Sequence, residues 1–224
     1  MTLQEAIAAR HSVRQYRPDP IEPAKLECLR EAIAQANREG GLHLQLVADE
    51  PQAFSGGLAK YGKFSGVANY MAVVCPRGSD EAAGYYGERI VLLAQTLGLN
   101  SCWVGLTFKK QPGCYTVAQG EVLLGVVALG YGITQGTQHP MKPASQFFSA
   151  EGEVPGWFNR GLEAAMLAPT AMNMQKFHFT LLPGSKVKAE TRFSLVGSYL
   201  KLDLGIVKLH FELGAGEGNF TWAG

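Results

Sequence analysis

Five consecutive residues, Arg10, His11, Ser12, Val13 and Arg14, put two guanidiniums, an imidazole and a hydroxyl side by side. Arginine presents a planar fork of donors and keeps its charge at every working pH, so the cluster suits an anion with several oxygens, such as a phosphate. The same residues also describe a solvated basic turn, where charge runs usually lie. A second stretch, Ala168 to Gln175, sets Asn173 and Gln175 among Met and Ala. An amide is both donor and acceptor and can pair with the polar edge of an uncharged heterocycle. The plain alternative is a turn whose Asn and Gln cap the backbone. A third, Leu97 to Gly105, is punctuated by Gly98 and Gly105 around Trp103. Gly98 reads as a helix C-cap, whereas Gly105 would let a flat ligand approach backbone N–H groups.

Recognisable elements must position these stretches. Leu3, Ala6, Ile7 and Ala9 fall at helical spacing behind a Thr2 cap with Glu5 three residues on, so a short helix delivers the basic cluster. Pro23 opens a second helix with an apolar stripe from Leu26 to Ala36, ending before Gly40 and Gly41. Strands are predicted over 42–47, 68–75, 121–129 and 177–182, with a short extended piece over 99–106. Further helices are predicted over about 84–97, 157–167 and 199–213. Residues 50–66 read as a long surface loop, residues 133–156 as a polar connection, and Trp222 as an anchor for the tail. Helix and strand recur in the same order on either side of that connection. The expected fold is therefore one α+β domain, 1–224, with related halves at about 1–135 and 156–224 around a pseudo-two-fold axis. Only the first half carries an Arg-rich cluster.

Composition narrows the function classes. Twenty Lys plus Arg against nineteen Asp plus Glu argue against a nucleic-acid partner. Cys28, Cys75, Cys102 and Cys114 lack metal-type spacing, so free thiols and no metal are expected. No apolar run is long enough to span a bilayer and no signal peptide is visible, so the expectation is a cytoplasmic protein without a membrane partner. His178 and His210 read as structural histidines, Cys102 has no base nearby in sequence, and Glu88, Glu163 and Asp203 are acids on helices without paired roles.

Together the three stretches resemble the FMN-dependent nitroreductase family. Arg10, Ser12 and Arg14 are similar to its Arg-x-Ser-x-Arg signature. Pro169, Thr170, Asn173, Gln175, Phe177 and Phe179 are similar to its Pro-Ser-x-x-Asn-x-Gln-Pro-Trp-x-Phe signature, with Lys176 for proline and Phe177 for tryptophan. Leu97 to Gly105 resembles its Leu-Gly-Leu-x-x-x-Trp-x-Gly turn, and Glu121 to Tyr131 the strand that closes its sheet. The Asn-Gln motif follows the Leu-Gly-Leu turn here, whereas typical members, homodimers with flavin at the interface, have it first. That order resembles the TM nitroreductase subfamily, in which one chain is a pseudo-dimer.

The resemblance implies mixed β-sheets flanked by helices, one FMN between the halves, and a monomer or homodimer. It implies that Arg10, His11 and Ser12 hold the phosphate and ribityl chain, and that Arg14 sits by the pyrimidine edge and stabilises reduced flavin. It implies ring contacts from Asn173 and Gln175, backbone contacts from Val104 and Gly105, and a basic residue from His139 or Lys142. The implied activity passes a hydride from NADH or NADPH through flavin N5 to a nitroaromatic, quinone or similar small-molecule acceptor by a ping-pong mechanism. A carrier or sensor that binds FMN without turnover would carry the same residues.

Overall fold

The computed structural model describes residues 1–194 and 199–223. Helix α1 (Leu3–Ala9) begins in the expected capping box: the Glu5 N–H donates to the Thr2 hydroxyl, and the Thr2 N–H donates to the Glu5 carboxylate. Helix α2 (Pro23–Gly40) starts on its proline and ends at Gly41 in the left-handed region. Strand β1 (Gln45–Val47), helix α3 (Gly57–Tyr61), β2 (Asn69–Pro76), α4 (Asp80–Thr96), β3 (Asn100–Val104) and β4 (Glu121–Gly130) follow. The first sheet has the order β1-β2-β4-β3 and is antiparallel throughout. The rest of the chain forms β5 (Phe148–Ala150), α5 (Gly156–Met166), β6 (Phe177–Leu182), β7 (Lys186–Thr191), α6 (Leu200–Ala215) and β8 (Thr221–Trp222). The second sheet runs β5-β6-β7-β8, with an antiparallel central pair and parallel outer pairs.

Two expectations need correction, and one strand was not anticipated. Residues 50–66 are not a bare loop: a 3-10 turn at Gln52–Phe54 and α3 fold back onto the sheet. Phe54 packs on Phe64 with ring centroids 5.2 Å apart, and on Tyr70 at 6.2 Å. Glycines around two isolated aromatics concealed that small core. Residues 133–156 contain β5, which joins the second sheet through Phe148 opposite Phe179. Strand β7 was missed because its Lys-Val-Lys-Ala-Glu-Thr sequence has a single fully buried side chain, Val187, among charged residues.

The core turns on α6, an apolar helix buried over most of its surface, as expected of a helix packed on more than one side. It crosses α4 at two glycines. A β-carbon on Gly84 would lie 2.0 Å from the Leu202 carbonyl oxygen, and one on Gly205 would lie 1.9 Å from that of Glu81. The two backbones therefore touch where only glycine fits. On another side of α6, Phe211 packs against Phe158 and Phe179, with centroids 5.4 and 4.5 Å away. The expected tail anchor is present: Trp222 packs on Phe211 at 5.7 Å and its indole N–H donates to Glu212.

Two stretches share a helix, an antiparallel strand pair and a helix, α2-β1-β2-α4 and α5-β6-β7-α6, the first with the Gln52–Phe54 turn and α3 inserted between its strands. The α4–α6 crossing joins the final helix of one set to that of the other. Beyond those units the two sheets differ in order and pairing.

Gly205→Ala forces α4 away from α6. Overpacking of this kind costs about 2 kcal/mol and lowers the melting temperature by about 4–8 °C for a chain of this size. Thermal unfolding measures it; an unchanged melting temperature would show that the crossing yields freely.

Candidate functional site

After α1 the chain becomes extended and runs along the outer edge of β3. The Val13 N–H donates to the Ser101 carbonyl at 3.0 Å, and Ser12 pairs with Ser101 as an isolated parallel bridge. The Tyr16 hydroxyl donates to the Val13 carbonyl at 2.8 Å and fixes the segment from behind. Arg14 is exposed, with its guanidinium 5.9 Å from the centre of the Phe64 ring. Ser12 and His11 are half-buried. Burial, and then the Arg10 charge, lower the His11 pKa. Cys102 is buried beneath this segment, and burial pushes its thiol up, so it is no nucleophile.

Arg10 turns inward and is only 3% exposed. It donates to the Leu167 carbonyl at 3.4 Å, while its Nε lies 3.7 Å from Glu88 Oε1, too far for a hydrogen bond. That Nε is buried and has no hydrogen-bond acceptor. Glu88 accepts from the Trp103 indole at 2.7 Å and meets His210 Nε2 at 3.0 Å. A buried guanidinium N–H without an acceptor fits an oxyanion placed beside it, since buried donors are almost always satisfied.

The loop over 171–175 is strained. Met172, Asn173 and Gln175 have φ of 52°, 52° and 51°. Asn tolerates this region, whereas Met and Gln adopt it only when held there. The restraints are visible. The Ala171 N–H donates to both carboxylate oxygens of Asp203, at 3.0 and 3.1 Å. The side-chain amides of Asn173 and Gln175 each donate to the Pro140 carbonyl at 2.9 Å.

Gln175 and Lys142, two of the expected cofactor contacts, also hold the loop together. Gln175 is buried; its NH2 also donates to Asn173 Oδ1 at 2.8 Å, and its Oε1 accepts the Lys142 N–H at 3.1 Å. The Lys142 ammonium donates to the Met174 carbonyl at 2.7 Å. Both side chains clamp the loop: the Gln175 amide hydrogens go to Pro140 and Asn173, while the Lys142 ammonium has further N–H donors beyond its bond to Met174. Asn173 remains half-buried at the loop's tip. His139 joins the Arg10 side instead: its Nε2 contacts the Met166 carbonyl at 3.1 Å. Burial dominates in lowering its pKa, and the charges of Arg10, His11 and His210 act in the same direction.

Val104 ends β3 at the sheet edge and Gly105 follows it. Tyr199, which the sequence did not single out, packs on Gly105 so closely that a β-carbon there would come within 2.6 Å of the phenol oxygen. Tyr199 leads into α6, and Asp203 lies one turn later. The named residues thus close a ring. Arg10 to Val13 adjoin β3; Gly105 adjoins Tyr199; Asp203 holds Ala171; Asn173 and Gln175 hold Pro140; and Arg10 returns to Leu167 at the end of α5. A separate surface hollow of about 340 Å³ beside Met1, Ala32 and Arg89 contains none of them. Among the described residues no three His, Cys, Asp or Glu side chains group as metal ligands, and no helix is long and apolar enough to cross a membrane.

Asp203 is the acid that sequence reasoning set aside. Its one signal was a charge between Leu202 and Leu204 in an apolar helix. Burial raises its pKa to about 7, against a lowering by the Ala171 N–H. The native state therefore keeps a proton that the unfolded chain loses near pH 4, and stability falls as pH rises from there to about 7. Asp203→Asn keeps an acceptor for Ala171 without the charge. It should gain stability over the parent progressively between about pH 4 and 7 and hold a constant advantage above. Urea unfolding across that range checks it; a pH-independent difference would refute it.

A family profile described as "Putative TM nitroreductase" matches residues 2–215. A search of curated proteins finds no match. Among solved structures, a putative nitroreductase from Thermotoga maritima aligns over 96% of this chain and 83% of its own, with a TM-score of 0.62 and 19% identity. A putative nitroreductase from Desulfovibrio desulfuricans, in complex with FMN, aligns over 69% of this chain and 99% of its own (TM-score 0.53, 16% identity). Nitroreductase A from Vibrio parahaemolyticus aligns over 65% and 73% (TM-score 0.52, 16% identity). At these identities the structural likeness establishes a shared α+β fold, and the profile, which spans nearly the whole chain, establishes that the protein belongs to the TM nitroreductase family.

Proposed function

We propose that the protein is an FMN-dependent oxidoreductase that binds one flavin within the ring of segments around Arg10, Gly105 and Asn173. The observation that carries this reading is the buried Arg10 Nε without an acceptor, on a guanidinium whose charge reaches His11 and His139, with Ser12 two residues further along the chain. That donor set fits a phosphate monoester, and the Desulfovibrio desulfuricans relative in the same fold is in complex with FMN. When bound, the flavin supplies hydride acceptance and donation.

The chain's own groups do the rest. Arg10 and Ser12 hold the phosphate, with His11 as a neighbouring donor and His139, its N–H on the Met166 carbonyl, packed beside Arg10. Arg14, exposed at the rim, supplies a cation where negative charge develops on the pyrimidine edge. The backbone of Val104 and Gly105 meets the ring's edge, and Tyr199, which fills the side of Gly105 that a β-carbon would take, closes the site there. Asn173, fixed through Pro140 and Gln175, faces the ring's polar edge. In this reading NADH or NADPH is the donor, and a nitroaromatic, quinone or similar small molecule accepts electrons in a second half-reaction, giving ping-pong kinetics. The two halves act as a pseudo-dimer, so one chain is sufficient for one site, whether the protein is a monomer or a homodimer. Neither nucleic acid nor membrane is a partner.

The purified protein loaded with FMN should show a flavin spectrum that bleaches with NADH or NADPH and returns with a quinone. Bound flavin without bleaching would leave a carrier, and no bound flavin would refute the reading. Loss of the Arg14 charge in Arg14→Ala should weaken FMN about tenfold to a hundredfold and slow bleaching. Unchanged values for both would remove Arg14 from the mechanism.

A further inference from the structure

The buried charges behind Arg10 do not balance. Arg10, Glu88 and His210 are 3%, 0% and 0% exposed. His210 Nδ1 lies 3.1 Å from the Ala164 carbonyl, a contact that requires the proton on Nδ1. Nε2 then meets Glu88 Oε1 at 3.0 Å. Two bare acceptors repel at that distance, so a proton lies between them, on the imidazole or on the carboxyl. Either placement leaves the trio with one net positive charge: two cations and a carboxylate, or a guanidinium with a neutral acid and a neutral imidazole. Trp103 adds a donor to Glu88 Oε2 at 2.7 Å and no negative charge. His11 and His139, the titratable neighbours from other segments, contribute none either.

Uncompensated buried charge is strongly unfavourable unless a counter-ion completes it. Glu88 is drawn by Trp103 from β3 and by His210 from α6, and stands 3.7 Å from Arg10 Nε, so it steers the guanidinium without satisfying it. We propose that Glu88, His210 and Trp103 are positioning residues that hold Arg10 as a net-positive anchor for the phosphate of the cofactor. The proposal rests on the flavin reading above. It assigns phosphate selectivity to a junction between α4, α6 and β3 that itself does not touch the flavin ring.

The test compares FMN with riboflavin, which lacks the phosphate, by flavin fluorescence titration of the full chain and of Glu88→Gln, His210→Gln and Trp103→Phe. The parent should prefer FMN by about a hundredfold or more, as expected of charge-assisted phosphate contacts. Each variant should lose about tenfold or more of that preference while riboflavin affinity stays within about twofold. A merely structural role would weaken both flavins together and leave the ratio unchanged, which overturns the proposal. Trp103→Phe removes one N–H at a partly exposed position and keeps the test open if the two buried variants do not fold. If the parent binds neither flavin, the flavin reading fails. The anchor is then read with inorganic phosphate, which should raise the melting temperature of the parent and not of Trp103→Phe. No effect of phosphate on the parent would overturn the anchor as well.

Discussion

The touching backbones of α4 and α6 at Gly84 and Gly205 are the constraint on which the rest of the molecule depends. The close crossing lets Glu88 on α4 reach His210 on α6 with both side chains fully enclosed. The same α6 carries Tyr199 and Asp203 at its beginning, where they meet Gly105 and Ala171. A wider helix separation would disconnect the basic segment after α1 from the loop after α5. Apolar burial makes this helix pair stable, and two missing side chains make it close enough to organise polar groups.

Polar groups around the site fall into two kinds. Gln175, Lys142 and Asp203 bind backbone groups and hold the 171–175 loop in left-handed conformations it would not otherwise keep. Arg10 and Arg14 have donors in reserve, one buried beside a shared carboxylate and one at the surface. The first kind fixes geometry, and the second supplies charge. A site that handles a preformed cofactor needs this division more than it needs side-chain acid–base groups.

Much of the framework was legible in the sequence. The Thr2–Glu5 capping box, Pro23 at a helix start, the apolar run of β4 and the alternating Phe177, Phe179 and Leu181 each express a local rule. What escaped depended on distant partners. Strand β7 is polar on its own and becomes a strand only through pairing with β6 on one side and β8 on the other. The motif stretches were located, yet the direction of their side chains was not. Nothing local distinguishes the outward Arg14 from the inward Arg10, or shows that Gln175 closes on Pro140. Tyr199 and Asp203 gained meaning only when α6 was placed beside β3 and the 171–175 loop.

The central claim, that a single chain assembles one flavin site between its halves, is tested most directly by the stoichiometry of FMN binding, measured by titration calorimetry on the purified chain. The account predicts one FMN per chain. No binding, or two equivalents per chain, would contradict it.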